Sequence, residues 1–322
     1  MSRISQRAAF YHSLTVLLEA GIPIIRSLDT VTAGQRGHMK KVFADVRNSV
    51  SKGESISDSM AKHKKAFGTL DVLLVQTAET AGNLPECFKL LTSWYEFLNH
   101  LTRIIKSGLL LPLFVLHLGA FIAPLPRVFL RGATIGEYFF SAFKVLAVFY
   151  GSAIIILYGY KLIRKSSFLS KIFDIFIVRI PVVGTAVWHL SISKYCRAFN
   201  MLYKAGVPII QSLTQAAPQA GNTVVSGIFE GGAKSAAEGN AAYDGFSGRL
   251  PSEYLNLWRI GEEAGELEKT VDKIAEIASD KAELILTECA RWFPRIVYFM
   301  ICIWMIKQVF AGYAELYSIP SF

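Results

Sequence analysis

The chain has 322 residues, of which 52% are hydrophobic and 18% charged, against about 25% charged in ordinary soluble domains. That deficit points to a membrane protein. The formal net charge of +9 gathers in the first 106 residues and beside the apolar stretches, which favours anionic lipid headgroups and positive-inside orientation. It disfavours nucleic acid, because no basic run is interleaved with aromatics as a strand-binding groove requires. Cys87, Cys196, Cys289 and Cys302 form no C-x-x-C, so neither a disulfide framework nor a zinc site is expected.

Residues 4–18 carry Ile4, Ala8, Tyr11, Leu14 and Leu18 at helical spacing. Arg3 and Arg7 precede the apolar run, but Glu19 interrupts it, so it reads as a helix and not as a leader. Gly21 can end that helix in the left-handed conformation, and Pro23 suits the start of the next. The spacing predicts that second helix to about residue 33, ending near Gly34 and Gly37. A third follows over 40–52, a short fourth capped by Ser55 or Ser57, a fifth over 70–81 closed by Gly82, and a sixth from Pro85. Six short helices over 1–106 make a bundle polar enough to stand in water.

Residues 107–126 carry no formal charge, the length that crosses a hydrocarbon core. His117 lies within; a neutral packed side chain is the preferred reading over a proton relay. Residues 138–160 make a second span, charged only at Lys144, and the short loop 127–137 makes the two a hairpin. Basic residues flanking the pair, Lys161, Arg164 and Lys165 among them, put the long segments on the cytoplasmic side and the loop outside. Residues 172–190 are apolar but interrupted by Asp174, Arg179, Pro181 and Gly184. They read as an interfacial helix and a corner, opening the segment 161–292 that holds a second bundle.

That second bundle repeats the first. Ala20-Gly21-Ile22-Pro23-Ile24-Ile25-Arg26-Ser27-Leu28 returns 185 positions later as Ala205-Gly206-Val207-Pro208-Ile209-Ile210-Gln211-Ser212-Leu213. Tyr195, Phe199 and Leu202 match Phe10, Leu14 and Leu17. Glu79-Thr80-Ala81-Gly82 returns at an offset of 183 as Glu262-Glu263-Ala264-Gly265. The stretch 216–248 is rich in Gly, Ala and Ser, so weak helices are expected there, with Gly231-Gly232 at a helix end. A long helix follows from Leu267, then a third span over 293–314 and an external tail, 315–322. The expected fold is all-α and polytopic: two homologous cytoplasmic six-helix bundles and three transmembrane helices.

No phosphate loop, H-E-x-x-H or G-x-S-x-G occurs, and the six histidines are scattered, so neither an enzyme nor a cofactor is expected. The structural repeat corners are Gly21, Pro23, Gly82, Gly206, Pro208 and Gly265. Glu79, Glu262, Glu263 and Glu266 are candidate partner contacts, with Glu268 beside them. The competing reading of Glu79 and Glu262, a carboxylate bonded to local backbone, is preferred. The acidic group also has a minor reading as a metal site.

The paired A-G-[IV]-P-I-I-x-S-L, the paired E-x-A-G-x-L, Ile180-Pro181-Val182-Val183-Gly184 and the three-span layout resemble the type II secretion F / type IV pilus PilC-like inner-membrane platform family. The resemblance covers nearly the whole chain. It implies a non-enzymatic, homo-oligomeric platform in the bacterial inner membrane, N-terminus cytoplasmic and C-terminus external. It also implies partners: a hexameric assembly ATPase, pilin or pseudopilin, and other platform subunits. Against the family pattern, the outer loop is short and the middle of the second bundle is Gly/Ala-rich. The alternative reading is a small repeat-built transporter or channel, whose repeats would lie mostly within the membrane.

Overall fold

A computed structural model describes residues 3–35, 37–122, 134–163 and 166–317, together with 124, 125 and 128. Most of the loop expected at 127–137, Arg164, Lys165 and the end of the tail lie outside the described residues. Every regular element among the described residues is helical. The chain divides into two compact units. One comprises Met1–Thr102 with Thr185–Ala282; the other comprises Arg103–Gly184 with Glu283–Phe322.

The first unit holds both bundles. Its N-terminal half is built from α1 (Arg3–Glu19), α2 (Ile24–Ala33), α3 (His38–Ser51), α4 (Ile56–Ala61), α5 (Thr69–Ala81) and the start of α6 (Leu84–Ile122). The six expected helices are present: the starts of all six and the ends of the first five lie within two residues of expectation, while α6 runs on without a break through the expected first span to Ile122. Pro23 sits one place earlier than the first helical turn, as the N-cap of α2 with an extended ψ of 144°. Of the two serines proposed to cap α4, Ser55 does so, accepting the Asp58 N–H at 3.0 Å.

The second unit begins with the rest of α6 and with α7 (Ile135–Ile163) and α8 (Ser167–Arg179). The second bundle then follows the plan of the first: α9 (Val183–Lys204), α10 (Ile209–Ala216), α11 (Thr223–Ala237), α12 (Ser252–Glu263) and the start of α13 (Leu267–Tyr317). The equivalent of α4 has shrunk to a 3-10 turn, Ala242–Gly245. The same aromatic pair anchors each copy. Phe10 stacks on Phe43 at 3.8 Å, and Tyr195 stacks on Phe229 at 3.7 Å.

The small-residue segment departs from expectation. Gly231 and Gly232 lie inside α11 and not at its end. A Cβ on Gly231 would fall 2.0 Å from the Gly245 carbonyl oxygen, and one on Gly232 would fall 2.2 Å from the Phe246 ring. The glycines therefore let the 3-10 turn pack directly on the helix. Asn222 starts α11 by accepting the Val224 and Val225 amides at 2.9 and 3.3 Å.

In the other unit, α6 and α7 are long and apolar enough to cross a membrane. Their outward residues are apolar, as at Phe114, Phe140 and Ile155. Within this hairpin the Tyr138 hydroxyl donates to the Phe121 carbonyl at 2.8 Å. His117 Nδ1 lies 2.7 Å from the Leu113 carbonyl and Nε2 lies 3.0 Å from the Tyr150 hydroxyl. A carbonyl only accepts, so Nδ1 carries the proton, and in the neutral ring Nε2 accepts from Tyr150. His117 is thus a clasp between α6 and α7. The region expected as a third span continues α13 without a break to Tyr317.

α8 exposes Phe168, Leu169, Ile172, Ile175 and Phe176 along one face and buries Asp174 on the other, as an interfacial helix would. It could be joined with α9 into a further apolar span. A corner intervenes, however, and α9 buries Ile192, Tyr195 and Phe199 in the bundle core. At that corner Val183 N–H reaches back to the Pro181 carbonyl at 2.8 Å, leaving Val182 at φ 69°. A β-branched residue there is strained. Gly184 is required beside it, since a Cβ would fall 2.2 Å from the Val178 carbonyl oxygen.

Candidate functional site

The repeated motifs build the same corner four times. At Gly21, φ is 76°; its N–H bonds the Leu18 carbonyl, and the Ile22 N–H bonds Leu17 at 3.0 Å. At Gly206, φ is 85°, with Val207 N–H on Leu202 at 3.0 Å. Gly82 and Gly265 repeat the pattern, through Asn83 to Ala78 and Glu266 to Gly261. A left-handed residue with this bond pair satisfies the last carbonyls of a helix. Ser27 and Ser212 complete the first corner of each bundle, their hydroxyls donating to the Ile22 and Val207 carbonyls. Leu28 and Leu213 follow, both buried.

The two repeated glutamates do related internal work. Glu79 accepts the Ile56 amide at 2.5 Å, the Ser57 amide at 3.1 Å and the Ser57 hydroxyl. Glu262 accepts the Ala242 amide at 2.6 Å, the Tyr243 amide at 3.3 Å and the Trp258 indole N–H at 3.2 Å. Each carboxylate is therefore a cap delivered from a distance, closing the fifth helix of its bundle onto the start of the fourth element. Unpaired N–H groups at a helix start favour negative charge. Glu79→Ala is expected to cost about 1–2 kcal/mol, the range of a lost N-cap. Hydrogen exchange of the Ile56–Ala61 amides should quicken while that of α2 and α3 holds. Unchanged exchange in α4 would contradict this role.

Glu263 and Glu266 stay at the surface. Glu263 accepts the Tyr243 hydroxyl at 3.1 Å, and Glu266 pairs with Lys269 at 2.8 Å. Among the described residues no group of three His, Cys, Asp or Glu side chains could hold a metal ion.

A polar network inside the first bundle escaped sequence reading. Asp71 is buried, accepting the Tyr95 hydroxyl at 2.7 Å and the Gly68 amide at 3.0 Å. Arg7 donates to the Tyr95 hydroxyl at 2.9 Å and lies against its ring. Burial holds the Asp71 carboxyl above its ordinary range, against the lowering effect of Tyr95, Gly68 and Arg7. It also pushes the Cys87 thiol up to about 12, so that cysteine is inert. The one available signal was an acidic residue, Asp71, inside the apolar run Leu70–Val75.

The two bundles meet where α6 faces α9. Leu90, Ser93, Trp94 and Phe97 lie at i, i+3, i+4 and i+7 on α6; Arg197, Asn200, Met201 and Lys204 repeat that spacing on α9. The Arg197 guanidinium sits 4.2 Å from the Phe97 ring centroid, a cation–π contact. Burial lowers the pKa of Arg197, while Asp272, Asp280 and Glu276 act to support its charge.

Comparison with known proteins accounts for the repeat. The family model described as type II secretion system (T2SS), protein F, matches residues 10–130 and again residues 195–306. The chain belongs to the type II secretion system protein F family. The two matches of this family begin 185 residues apart, the interval of the Gly-x-Pro corner. Among similar proteins is the type IV pilus assembly protein PilC of Pseudomonas aeruginosa, 23% identical over 86% of this chain and 79% of its own. The PilC of Myxococcus xanthus is 25% identical over 85% of this chain and 70% of its own. The type II secretion system protein F of Pseudomonas aeruginosa is 24% identical over 81% and 70%. Pilus assembly and secretion relatives thus stand at nearly equal distance from this member of the F family.

Proposed function

We propose that the chain is an inner-membrane platform of a type II secretion or type IV pilus-like machine, without catalytic activity of its own. It would couple a cytoplasmic assembly ATPase to the extraction of pilin or pseudopilin from the bilayer. The observation that carries this is the continuity of α6. One unbroken helix buries Phe88 and Leu91 in a bundle core and, further along, exposes Leu110, Phe114 and Leu118. A continuous helix of that kind supplies the covalent link through which such coupling would run. Membership of the F family, with pilus assembly and secretion relatives, supports the same reading. Glu263, Glu266 and Glu268 offer exposed carboxylates to a partner.

The expected result is co-purification of the chain with a hexameric ATPase and a pilin-like subunit. Movement of a solute into liposomes by the purified chain alone would replace the platform with a transporter. For orientation, reporters fused after residues 100 and 250 should be cytoplasmic, one at 132 external, and the C-terminus external. A periplasmic signal at 250 would break the two-bundle topology.

A further inference from the structure

The seam between α6 and α9 opens, beside the Arg197–Phe97 contact, into a cleft of about 280 Å³. Trp94 and Met201 form apolar walls; Arg197, Asn200 and Lys204 line it from α9, and Asp272 from α13. Asn200 is 3% exposed, and its Oδ1 is buried without a hydrogen-bond partner among the described residues. The Arg197 Nε–H is likewise buried and unpartnered. Orphaned buried polar groups cost about 1–3 kcal/mol each, so they are seldom kept without use.

The internal repeat supplies a control. At the offset of 185, Arg197, Asn200, Met201 and Lys204 correspond to His12, Thr15, Val16 and Glu19. Thr15 has no orphan: its hydroxyl donates to the Tyr11 carbonyl at 2.9 Å. Val16 is 51% exposed, so that stripe of α1 is open at this point. At the offset of 183, Trp94 and Phe97 correspond to Ile277 and Asp280. The cleft therefore does not follow from the shared bundle plan. It exists where the two copies have diverged, and at its mouth the charge has reversed from Glu19 to Lys204.

We propose that this cleft binds a short peptide segment of a partner protein, an acidic residue flanked by an apolar one. Asp272, Glu276 and Asp280 already act on Arg197, so the cation offered to a carboxylate is Lys204, exposed at the mouth, and Trp94 with Met201 takes an apolar side chain. The volume lies just below the range of small-molecule pockets, about 300–1,000 Å³, so it suits one or two residues. The proposal goes beyond the platform reading and can fail without it.

The test uses the full chain in lipid nanodiscs, labelled with 5-fluorotryptophan, the Trp94 resonance being assigned from Trp94→Phe. The probes are N-acetyl-Leu-Asp-Phe-amide, the same peptide with Lys for Asp, and inorganic phosphate. The expected result is a saturable shift of the Trp94 resonance by the Asp peptide, weakened about tenfold or more for the Lys peptide. Lys204→Glu, a change at an exposed position, should reverse that preference. No saturable shift, equal response to both peptides, or no effect of Lys204→Glu would overturn the proposal. So would the same shift with phosphate alone, which would make the cleft an ion subsite.

Discussion

Gly231→Ala should destabilise the second bundle by about 3 kcal/mol, the upper part of the usual overpacking range. The added Cβ would sit 2.0 Å from the Gly245 carbonyl oxygen, and Gly245 meets Gly231 in return at 2.1 Å. Backbone faces backbone, so no side chain can swing aside. Relief requires pulling the Ala242–Gly245 turn off α11, which would break the Glu262 bonds to the Ala242 and Tyr243 amides. Gly227, one turn earlier on the same helix, has nothing within 4 Å of a built Cβ. Gly227→Ala should therefore stabilise by about 0.5–1 kcal/mol through helix propensity alone. The pair separates composition from contact, since both remove a helical glycine. Thermal unfolding of the full chain in detergent should move the two variants in opposite directions. Equal shifts would mean that the turn does not pack as described.

The contrast explains which parts of the fold were readable. Corners are local: a positive φ asks for glycine and a fixed φ suits proline, so Gly21-x-Pro23 and Gly206-x-Pro208 announced themselves. Amphipathic period and length gave the helices and the first two spans for the same reason. Gly231 and Gly232 were misplaced because their cause is remote, a turn about 14 residues further along. The seam of α6 and α9 was invisible for a related reason. Trp94 and Phe97 fit an ordinary core stripe, and nothing in a helical period names the facing helix. Glu79 and Glu262 lay between: their recurrence marked them, and only the fold shows which amides they hold.

Repetition also separates architecture from specialisation. Positions held in both copies, such as Ser27 and Ser212 or Glu79 and Glu262, have internal hydrogen-bonding duties. Among the positions that differ, two groups carry contacts described above. One is the inter-bundle cleft. The other is the core beneath α5, where Asp71 corresponds to Tyr254 and Tyr95 to Ala278 at the offset of 183. Tyr254 answers with a 3.0 Å hydrogen bond to His189 Nδ1. The first bundle thus carries a buried carboxyl at a level where the second carries a phenol. The Gly corners hold a common frame, and its contents have been free to change.

That buried carboxyl supports the largest single effect expected. Asp71→Ala should cost about 3 kcal/mol or more, since two buried donors lose their acceptor at about 1–3 kcal/mol each, and more where that acceptor is charged. The Tyr95 hydroxyl and the Gly68 amide lose their acceptor, and the Tyr95 hydroxyl that Arg7 donates to loses its anchor. Asp71→Asn keeps an acceptor of the same shape and should cost far less. The pH dependence has a definite sign. Burial is the largest influence on Asp71 and raises its carboxyl above the ordinary 3.8. A carboxyl with a raised folded-state pKa contributes stability below the unfolded value and loses it as pH rises through the folded one. Asp71→Asn has no such proton to lose. The stability of the wild-type chain relative to Asp71→Asn should therefore fall as pH rises from just below 3.8, then level off above the folded pKa. Pulse proteolysis of both chains across that window measures the difference. A constant gap, or one that moves in favour of the wild-type chain with rising pH, would mean that the Arg7–Tyr95 side of the network outweighs burial.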